Sequence, residues 1–472
     1  MSEAALSADV SADEYDEAFS APGVPRAHYA EVLGALEGID LAALRDAVNA
    51  RVAEQGVVFR SKEGENAFLV DPIPRVFPAD EWALLSAALR QRVDALNAFV
   101  HDAYGERRIV EAGVMAARAI DSADGFEPDL RGALPPGVPP VGVGGLDIVR
   151  DSDGELRVLE DNVRTPSGST YADAARGAVV LELPGGIPPY ETLRGPLLRL
   201  FGQVLRAAAP EGVDDPYVVV LSDGPEGSAW YEHSTIARML GVPVVELDDL
   251  EHHGDRLYHR DEDRRLRAVD VVYRRCDEDR LRDDNHRLTA VAEAVLEPWT
   301  EGRLAVVNAF GTGVADDKLV HAYVEDMIRF YLREEPLMES VHTYDLGRDA
   351  DREEVLADLE QFVVKPRTGH GGDGVVVCAH ADAQDVEQLR RDIAAAPGRY
   401  IAQSTVALSS HPTVVPPGRL EPRHVDLRPF VFASSAGTEV LPGGLTRVAW
   451  DPGALVVNSS QNGGAKDTWV LR

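Results

Sequence analysis

Cysteine and long apolar runs are both scarce in this sequence of 472 residues. The two cysteines, Cys276 and Cys378, are too few for a disulfide framework, which favours a reducing compartment. No apolar run approaches the roughly 20 residues that a membrane-spanning helix needs. The N-terminus also lacks the basic and apolar segments of a secretory signal peptide. We therefore expect a soluble cytoplasmic protein.

Positive charge is scarce as well, because 80 acidic residues outweigh 47 basic ones and leave a net charge of −33. Such a balance disfavours contact with nucleic-acid phosphates and with anionic lipid headgroups. We therefore expect neither nucleic acid nor membrane as a partner. Small molecules are the expected partners.

Lysine is the rarest charged residue. The sequence contains only Lys62, Lys318, Lys365 and Lys466, and its other basic residues are arginine. Under such a bias, a lysine marks a place where a compact ammonium group fits and a planar guanidinium does not. Chance is the alternative for each of them, and the polar surroundings of Lys62 favour chance there.

The stretch LDIVRDSDGELRVLEDN contains two strand patterns around Asp153-Gly154, a dipeptide typical of two-residue hairpin turns. Pairing across that turn places Asp147 opposite Glu160. Asn162 then shares the face of Glu160, and Asp161 points to the other face. Opposed carboxylates repel unless a cation lies between them, and Mg²⁺ prefers such oxygen ligands. A solvated acidic run is the alternative.

A glycine-rich loop follows Lys365 in VVKPRTGHGGDGVVV. Its glycines permit close approach of backbone N–H groups to phosphates. It matches neither a Walker A loop, which ends in Gly-Lys-Ser/Thr, nor a dinucleotide fingerprint, which opens a helix. We interpret it as a hairpin that folds over phosphates, and a flexible turn is the alternative.

Three further cations have placements that an anion would explain. Lys318 stands at a helix start, where the helix dipole disfavours it. Lys466 lies in the predicted glycine-rich loop NSSQNGGAKDTW. Arg428 interrupts the strand pattern HVDLRPFVF, where a buried guanidinium needs a bidentate anion. An ion pair with Asp426 or another carboxylate is the alternative for Arg428.

Together these motifs resemble the circularly permuted ATP-grasp family (type 2), related to the synthetase domain of glutathionylspermidine synthase. The resemblance covers about residues 100–472. The metal-ligand motifs LDIVRD and LEDN precede both nucleotide lysines here, which is the order expected after permutation. The matching stretches are HDAYGERRIV, GLDIVRDSDGELRVLEDNVRTPSGSTY, VVNAFGTGVADDK, FVVKPRTGHGGDGV, YIAQSTVALSSHPT, RHVDLRPFVF, GGLTRVA and VVNSSQNGGAKDTWVL.

The resemblance implies a role for each candidate residue. Arg428 would hold the γ-phosphate or an acyl phosphate, and Gln403 would border the adenine. The implied metal ligands are Asp147, Glu160 and Asn162. The implied ATP contacts are Lys318, Lys365, Lys466 and the loop glycines Gly369, Gly371, Gly372 and Gly374. The residues implied beside the reacting carboxylate are Arg164, Ser167, Gly168 and Ser169. One departure is Gly145, which stands where glutathionylspermidine synthase carries an arginine.

The fold class expected is α/β (α+β), a circularly permuted ATP-grasp with a helical N-terminal region and a pre-ATP-grasp-like α/β domain. The expected segments are a disordered acidic tail (1–20), a helical region (21–140), the metal-binding hairpin segment (141–210), the pre-ATP-grasp-like domain (211–300) and the nucleotide-binding part with its lid (301–472).

The function implied is that of an ATP- and Mg²⁺-dependent carboxylate–amine ligase. Such an enzyme phosphorylates a substrate carboxylate, and an amine then attacks the acyl phosphate. The family expectation is a peptide-like or amino-acid substrate. Two alternatives are an ATP-binding partner or regulatory module without catalysis, and another ATP-dependent phosphotransferase.

Overall fold

Strands from the N-terminal quarter and from the C-terminus lie side by side in one mixed β-sheet. The computed structural model describes residues 15–61, 64–185, 187–276, 280–369, 374–455 and 463–472. The predicted α+β class is confirmed by this arrangement of helices and sheets. Within the described residues, no helix is long and apolar enough to cross a membrane.

The N-terminal region, residues 21–140, contains the predicted helices but also strands that were not predicted. Its strand β5 is missed because Pro72 and Pro74 interrupt the pattern. β5 stands at the end of the sheet order, and an edge strand tolerates proline because the missing backbone N–H breaks no hydrogen bond to a neighbouring strand. The elements are β1 (Phe19–Ala21), β2 (Val24–Pro25), α1 (Ala30–Ala35), α2 (Leu41–Glu54), β3 (Val58–Ser61), β4 (Gly64–Ala67), β5 (Val70–Phe77), α3 (Ala79–Tyr104), α4 (Arg108–Glu111) and α5 (Ala117–Asp121).

The predicted disordered tail is wrong for residues 15–20, and residues 1–14 lie outside the described part of the chain. Glu17 is 4% exposed and accepts hydrogen bonds from Arg75 at 2.7 and 2.5 Å and from Ser409 at 2.5 Å. Burial acts against ionisation, but Arg75 and Arg150 lower the pKa of Glu17 to about 2. Partners distant in sequence thus order an acidic segment whose composition alone predicts disorder.

The central sheet has the order β5-β22-β21-β20-β6-β7, with β19 paired to β20. Its apolar residues pack with α3 in one cluster and with α6 and α7 in another, which places helices on both faces. The elements that complete it are β6 (Val143–Arg150), β7 (Leu156–Asn162), α6 (Ser169–Glu182), α7 (Arg194–Ala207), β19 (Ser410–Val415), β20 (Arg419–Ser434), β21 (Gly437–Ala449) and β22 (Gly463–Val470).

A separate parallel sheet has the order β14-β13-β8-β9, as predicted for an α/β unit. Because β14 pairs with β13, this sheet extends past the predicted boundary at residue 300. In the same region β10, β11 and β12 form a separate antiparallel sheet. The elements of the region are β8 (Val218–Leu221), α8 (Trp230–Leu240), β9 (Val244–Val245), β10 (Leu250–His253), β11 (Arg256–Arg260), β12 (Leu266–Ala268), β13 (Val271–Arg274), α9 (Ala290–Thr300) and β14 (Ala305–Val307).

A further four-stranded sheet is antiparallel, with the order β15-β18-β16-β17, and we call it the lid sheet. It carries Lys365 near the end of β16 and Gln403 on β18, and these two strands are neighbours in the sheet. The elements are α10 (Lys318–His321), α11 (Val324–Met327), β15 (Thr343–Asp345), α12 (Asp349–Ala357), β16 (Phe362–Pro366), β17 (Val376–Val377), α13 (Ala383–Ala395) and β18 (Tyr400–Ser404).

Candidate active site

The hairpin β6–β7 places Asp147 directly opposite Glu160, as predicted. Gly145 faces Asn162 two pairs further on, so Asn162 shares the face of Glu160. Asp161 lies opposite Leu146, and its side chain is 2% exposed. The predicted alternation of the three neighbouring polar residues is therefore confirmed.

The predicted two-residue turn is wrong, although the register at the site is right. The backbone N–H of Gly154 bonds the carbonyl of Asp151 at 3.0 Å, and that of Asp151 bonds the carbonyl of Glu155 at 2.9 Å. The loop is therefore one residue longer than predicted, and Ile148 pairs with Val158. A bulge between Asp147 and Ile148 then restores the predicted pairing.

Asp147 is held by two arginines. Arg428 donates Nε and Nη2 to its two carboxylate oxygens at 2.6 and 2.9 Å, and Arg447 Nη2 lies 2.8 Å away. Asp147 is 4% exposed, and burial alone would raise its pKa, but these two guanidinium groups lower the pKa to about 2. The alternative of an ion pair for Arg428 is thus observed, with Asp147 as the partner, while Arg447 binds Asp426.

Lys318 joins the hairpin to the lid sheet. Its Nζ lies 3.3 Å from Glu160 Oε1 and donates to the carbonyl oxygen of Gly369 at 3.0 Å. Gly369 has φ +127° and Gly374 has φ +72°, backbone angles that favour glycine. Gly371 and Gly372, between them, lie outside the described residues. The predicted partners Glu160, Lys318 and Gly369 are therefore neighbours.

Lys365 faces the same cleft from β16. Within the described residues its ammonium group has no hydrogen-bond partner and no ion-pair partner within 4.0 Å. Burial lowers the pKa of Lys365, the Glu160 carboxylate opposes that effect, and Lys318 adds to it. A cation without a partner at a cleft that contains carboxylates and a second lysine is suited to an anionic ligand.

Gln403 forms another wall of the cleft. Its Nε2 donates to the carbonyl of Leu159 at 3.2 Å and to Thr343 Oγ1 at 3.0 Å. Its Oε1 is buried and has no hydrogen-bond partner in the described part of the chain. Buried acceptors are nearly always paired, so this oxygen has the capacity to accept a bond from a ligand.

The cleft is closed in this structure. Its lining includes Leu159, Glu160, Lys318, Lys365, Ile401 and Gln403, and the space that they enclose is about 10 Å³. That is room for about one water, so a nucleotide requires separation of the lid sheet from the hairpin. A larger cavity of about 230 Å³ lies between β3 and α8, but none of the predicted site residues lines it.

The four residues predicted beside the reacting carboxylate already have protein partners. Ser169 Oγ donates to Glu232 at 2.8 Å, and the Glu232 carboxylate also accepts the backbone N–H groups of Gly168 and Thr170. The anion-binding start of α6 is therefore occupied by a carboxylate of this chain. Arg164 Nε donates to Asp316 at 3.2 Å. Ser167 uses its carbonyl to accept Arg428 at 3.3 Å.

Lys466 does not lie at the cleft. It belongs to β22 rather than to a loop, its side chain is 0% exposed, and its ammonium group contacts Asp71. It also donates to the carbonyl of Pro412 at 3.1 Å. The prediction of a phosphate contact is therefore corrected: the interior of the central sheet already neutralises this charge.

Asp147, Glu160 and Asn162 fit Mg²⁺ in their chemistry, since two carboxylates and an amide offer oxygen ligands. Asn162 Nδ2 is buried without a hydrogen-bond partner among the described residues. A flip of the side-chain amide, which exchanges Oδ1 and Nδ2, would place an acceptor oxygen there. Carboxylate oxygens have several lone pairs, so contact with a cation leaves capacity for a metal. The described residues contain no group of three or more His, Cys, Asp or Glu side chains suited to a metal, so Mg²⁺ would need water and phosphate oxygens as further ligands.

Sequence reasoning missed the residues that hold the site together. Asn308 accepts the backbone N–H groups of Gly142 and Val143 at 2.9 and 2.8 Å. It also donates to the carbonyls of Val143 and Val163 at 2.7 and 2.9 Å, which ties the start of β6 to the end of β7. The one sequence signal for this role is that Asn308 directly follows a strand pattern.

Asp317 has a similar role at the lid sheet. It accepts two hydrogen bonds, at 3.1 and 3.0 Å, from Arg367, which follows Lys365 by two residues. It also accepts the backbone N–H of Leu319 at 2.8 Å and so caps α10. The pairing of Asp317 with Arg367 spans fifty residues and has no local sequence signal.

Comparison with known proteins provides independent information on the family. The sequence profile described as circularly permuted ATP-grasp type 2 matches residues 74–449. The chain belongs to this family. A putative glutamate–cysteine ligase 2-3 of Frankia alni is 44% identical over 97% of this chain, and the chain spans 54% of that relative. An uncharacterized protein of Synechocystis is 40% identical over 97% of both chains.

The fold comparison agrees. The apo structure of a glutathione synthetase-like effector from Globodera pallida superposes with a TM-score of 0.57 and covers 91% of this chain and 97% of its own. At 12% identity this likeness concerns the fold alone. The circularly permuted ATP-grasp fold predicted from the motifs is therefore confirmed.

Proposed function

We propose that this member of the ATP-grasp family is an ATP- and Mg²⁺-dependent carboxylate–amine ligase that acts through an acyl phosphate. One observation carries the proposal: Lys365 and Gln403 Oε1 lack partners in the described part of the chain, and both line the cleft that contains Lys318 and Glu160. Cations and a free acceptor at one cleft suit the phosphates and the base of a nucleotide.

In this proposal one set of residues contacts the nucleotide and another set binds the metal. Lys318, Lys365 and the glycine-rich loop would contact the phosphates, and Gln403 would border the base. Asp147, Glu160 and Asn162 would hold Mg²⁺, which supplies charge neutralisation for phosphoryl transfer when it is bound.

In this proposal Arg428 would stabilise negative charge on a transferring phosphoryl group. Its guanidinium is fixed on one side by Asp147, at 2.6 and 2.9 Å, and on another by the Ser167 carbonyl at 3.3 Å. A cation fixed before the reaction lowers the barrier because it does not have to reorganise. Arg447, on the same carboxylate, adds a second positive charge beside Asp147.

The acid and the amine are proposed from relatives rather than from the cleft. The Frankia relatives, which are nearly twice as long as the matched region, are named putative glutamate–cysteine ligases. Glutamate and cysteine are therefore the first pair to test, within a panel of amino acids and short peptides.

The test measures ADP and phosphate release with this panel, and it traps the acyl phosphate with hydroxylamine. Lys365→Met and Glu160→Gln should lower both signals by about 10²- to 10³-fold, because they remove a proposed phosphate contact and a proposed metal ligand. Glu155→Gln removes an exposed carboxylate from the turn of the same hairpin and serves as the matched control. Full turnover in Lys365→Met and Glu160→Gln would overturn the assignment.

Binding of ATP without turnover on any acid and amine would instead support the alternative of a nucleotide-binding module. Loss of ATP with no requirement for an amine would point to a phosphotransferase. A protein that binds no nucleotide would contradict all three.

A further inference from the structure

Asp161 lies between two proposed metal ligands, yet its side chain turns away from them into the protein. Arg92 donates Nε and Nη2 to its two oxygens at 2.6 and 2.8 Å. His321 Nδ1 lies 2.6 Å from Oδ2. Burial acts to raise the pKa of Asp161, but Arg92 and then His321 outweigh burial and lower it. Asp161 is therefore an ionised carboxylate with partners on two separate helices.

The two partners differ in what else their helices carry. Arg92 lies in the middle of the long helix α3, which supplies none of the proposed nucleotide or metal contacts. His321 ends the short helix α10, and Lys318 begins it one turn earlier. His321 is therefore the partner of Asp161 that lies on the same helix as Lys318, and Arg92 Nη2 also lies 3.2 Å from His321 Nδ1.

Two pairs of side chains join β7 to α10, one on each face of the strand. On one face of β7, Glu160 lies 3.3 Å from Lys318 Nζ. On the other face, Asp161 contacts His321 at 2.6 Å. Two contacts on opposite faces of a strand fix both the distance and the rotation of the helix relative to the strand. Lys318 then has a fixed position relative to Glu160 and to Gly369.

A role in overall stability alone is a weak explanation for this ion pair. Removing two charges from water costs about as much free energy as their attraction returns, so buried ion pairs add little net stability. Their fixed geometry has a clearer consequence, because neighbours of metal ligands set the orientation of those ligands.

We infer that Asp161 is a positioning residue that holds Lys318, through His321, against Glu160, so that the phosphate and metal contacts of the cleft form together. This inference rests on the proposed function. It assigns a role in the site to the one residue of the Glu160–Asn162 trio that faces away from it.

The experiment compares variants of the full chain by equilibrium binding of a trinitrophenyl ATP analogue, with and without Mg²⁺, and by thermal unfolding. Asp161→Asn should weaken binding of the Mg²⁺ complex by about 10- to 100-fold, the usual range for a residue that orients a ligand. The matched control is Asp467→Asn. Asp467 is 1% exposed, accepts Arg176 Nε at 2.7 Å and is not among the residues that line the cleft. It should lose thermal stability but keep its affinity for the analogue.

A second pair of variants separates positioning from folding, and it applies even where Asp161→Asn does not fold. His321→Leu removes the contact to α10 and leaves the bidentate pair with Arg92 intact. Arg92→Met removes the contact to α3 and the 3.2 Å contact between Arg92 Nη2 and His321 Nδ1, but it leaves the hydrogen bond between His321 and Asp161. We expect His321→Leu to weaken analogue binding more than Arg92→Met, and Arg92→Met to lower the unfolding temperature more.

The outcomes distinguish the inference from the function on which it rests. Wild-type protein that binds the analogue while His321→Leu and Asp161→Asn bind it equally well overturns the inference and leaves the ligase proposal standing. Equal losses of affinity in Asp161→Asn and Asp467→Asn also overturn it. Wild-type protein that binds no analogue overturns the proposed function and the inference together.

Discussion

Lys365 in the lid sheet and Lys466 in the central sheet look alike in sequence but occupy opposite environments. Both are rare lysines beside glycines, and burial lowers the pKa of both. Lys466 contacts Asp71 in the interior, whereas Lys365 has no such partner in the described residues and faces the cleft. The comparison teaches that the presence or absence of a protein partner, rather than the sequence surroundings, separates a structural lysine from one proposed to bind a ligand.

The largest expected effect is on catalysis. Lys365→Met should lower turnover by about 10²- to 10³-fold, the range for loss of one group that stabilises charge in the transition state. It should leave the unfolding temperature close to that of the wild type, because no ion pair is broken. Steady-state ADP release measures the first effect and calorimetry the second. Arg391→Met, which removes an exposed cation from α13 in the same region, is the control.

The corresponding change in the central sheet should act on stability instead. Lys466→Met leaves the Asp71 carboxylate buried without its cation, which costs about 3–5 kcal/mol of unfolding free energy. Denaturant titration measures this loss, and analogue binding by the folded fraction should be unchanged. In the double variant with Asp71→Leu, the loss should be smaller than the sum of the single losses. Additive losses would show that the two residues do not interact.

The hairpin was predictable because its signal is local. Alternation along β7 fixes which faces Glu160, Asp161 and Asn162 occupy, and the structure agrees. The bulge beside Asp147 was not predictable, since it compensates a turn whose length the dipeptide Asp153-Gly154 does not specify. An accurate register at the site therefore came from two deviations that cancel.

Partners distant in sequence account for most of the rest. Ser169 was predicted beside a substrate carboxylate, but Glu232, sixty-three residues later, already occupies that position. Glu17 belongs to a segment that looks disordered until Arg75 and Ser409 surround it. Composition and periodicity contain no information about such pairings.

A moderate effect is expected from the second unpaired group of the cleft. Gln403→Met removes the buried Oε1 acceptor and should weaken nucleotide affinity by about 10-fold, equivalent to about 1.4 kcal/mol. Thr343→Val, which removes a partner of Nε2 and keeps Oε1, should change affinity less. Equal affinity in Gln403→Met and the wild type would remove Gln403 from the binding site. Isothermal titration calorimetry measures all three proteins.

The smallest effect concerns pH. Because the pKa of Lys365 is lowered, its ammonium group loses its proton at a pH below the ordinary lysine range. Nucleotide affinity should therefore fall as pH rises through this lowered pKa. The unfolding free energy should rise over the same interval, since the unfolded chain binds more protons there than the folded one. Any residual nucleotide affinity of Lys365→Met, which has no ammonium group to titrate, should not decline over this interval.

The most direct measurement is calorimetric titration of the full chain with ATP and Mg²⁺ near neutral pH, for the wild type, Lys365→Met and the folded fraction of Lys466→Met. The account predicts saturable binding by the wild type, loss of binding in Lys365→Met and wild-type affinity in Lys466→Met. Equal binding by the wild type and Lys365→Met, or no binding by the wild type, would contradict the assignment of the cleft as the nucleotide site.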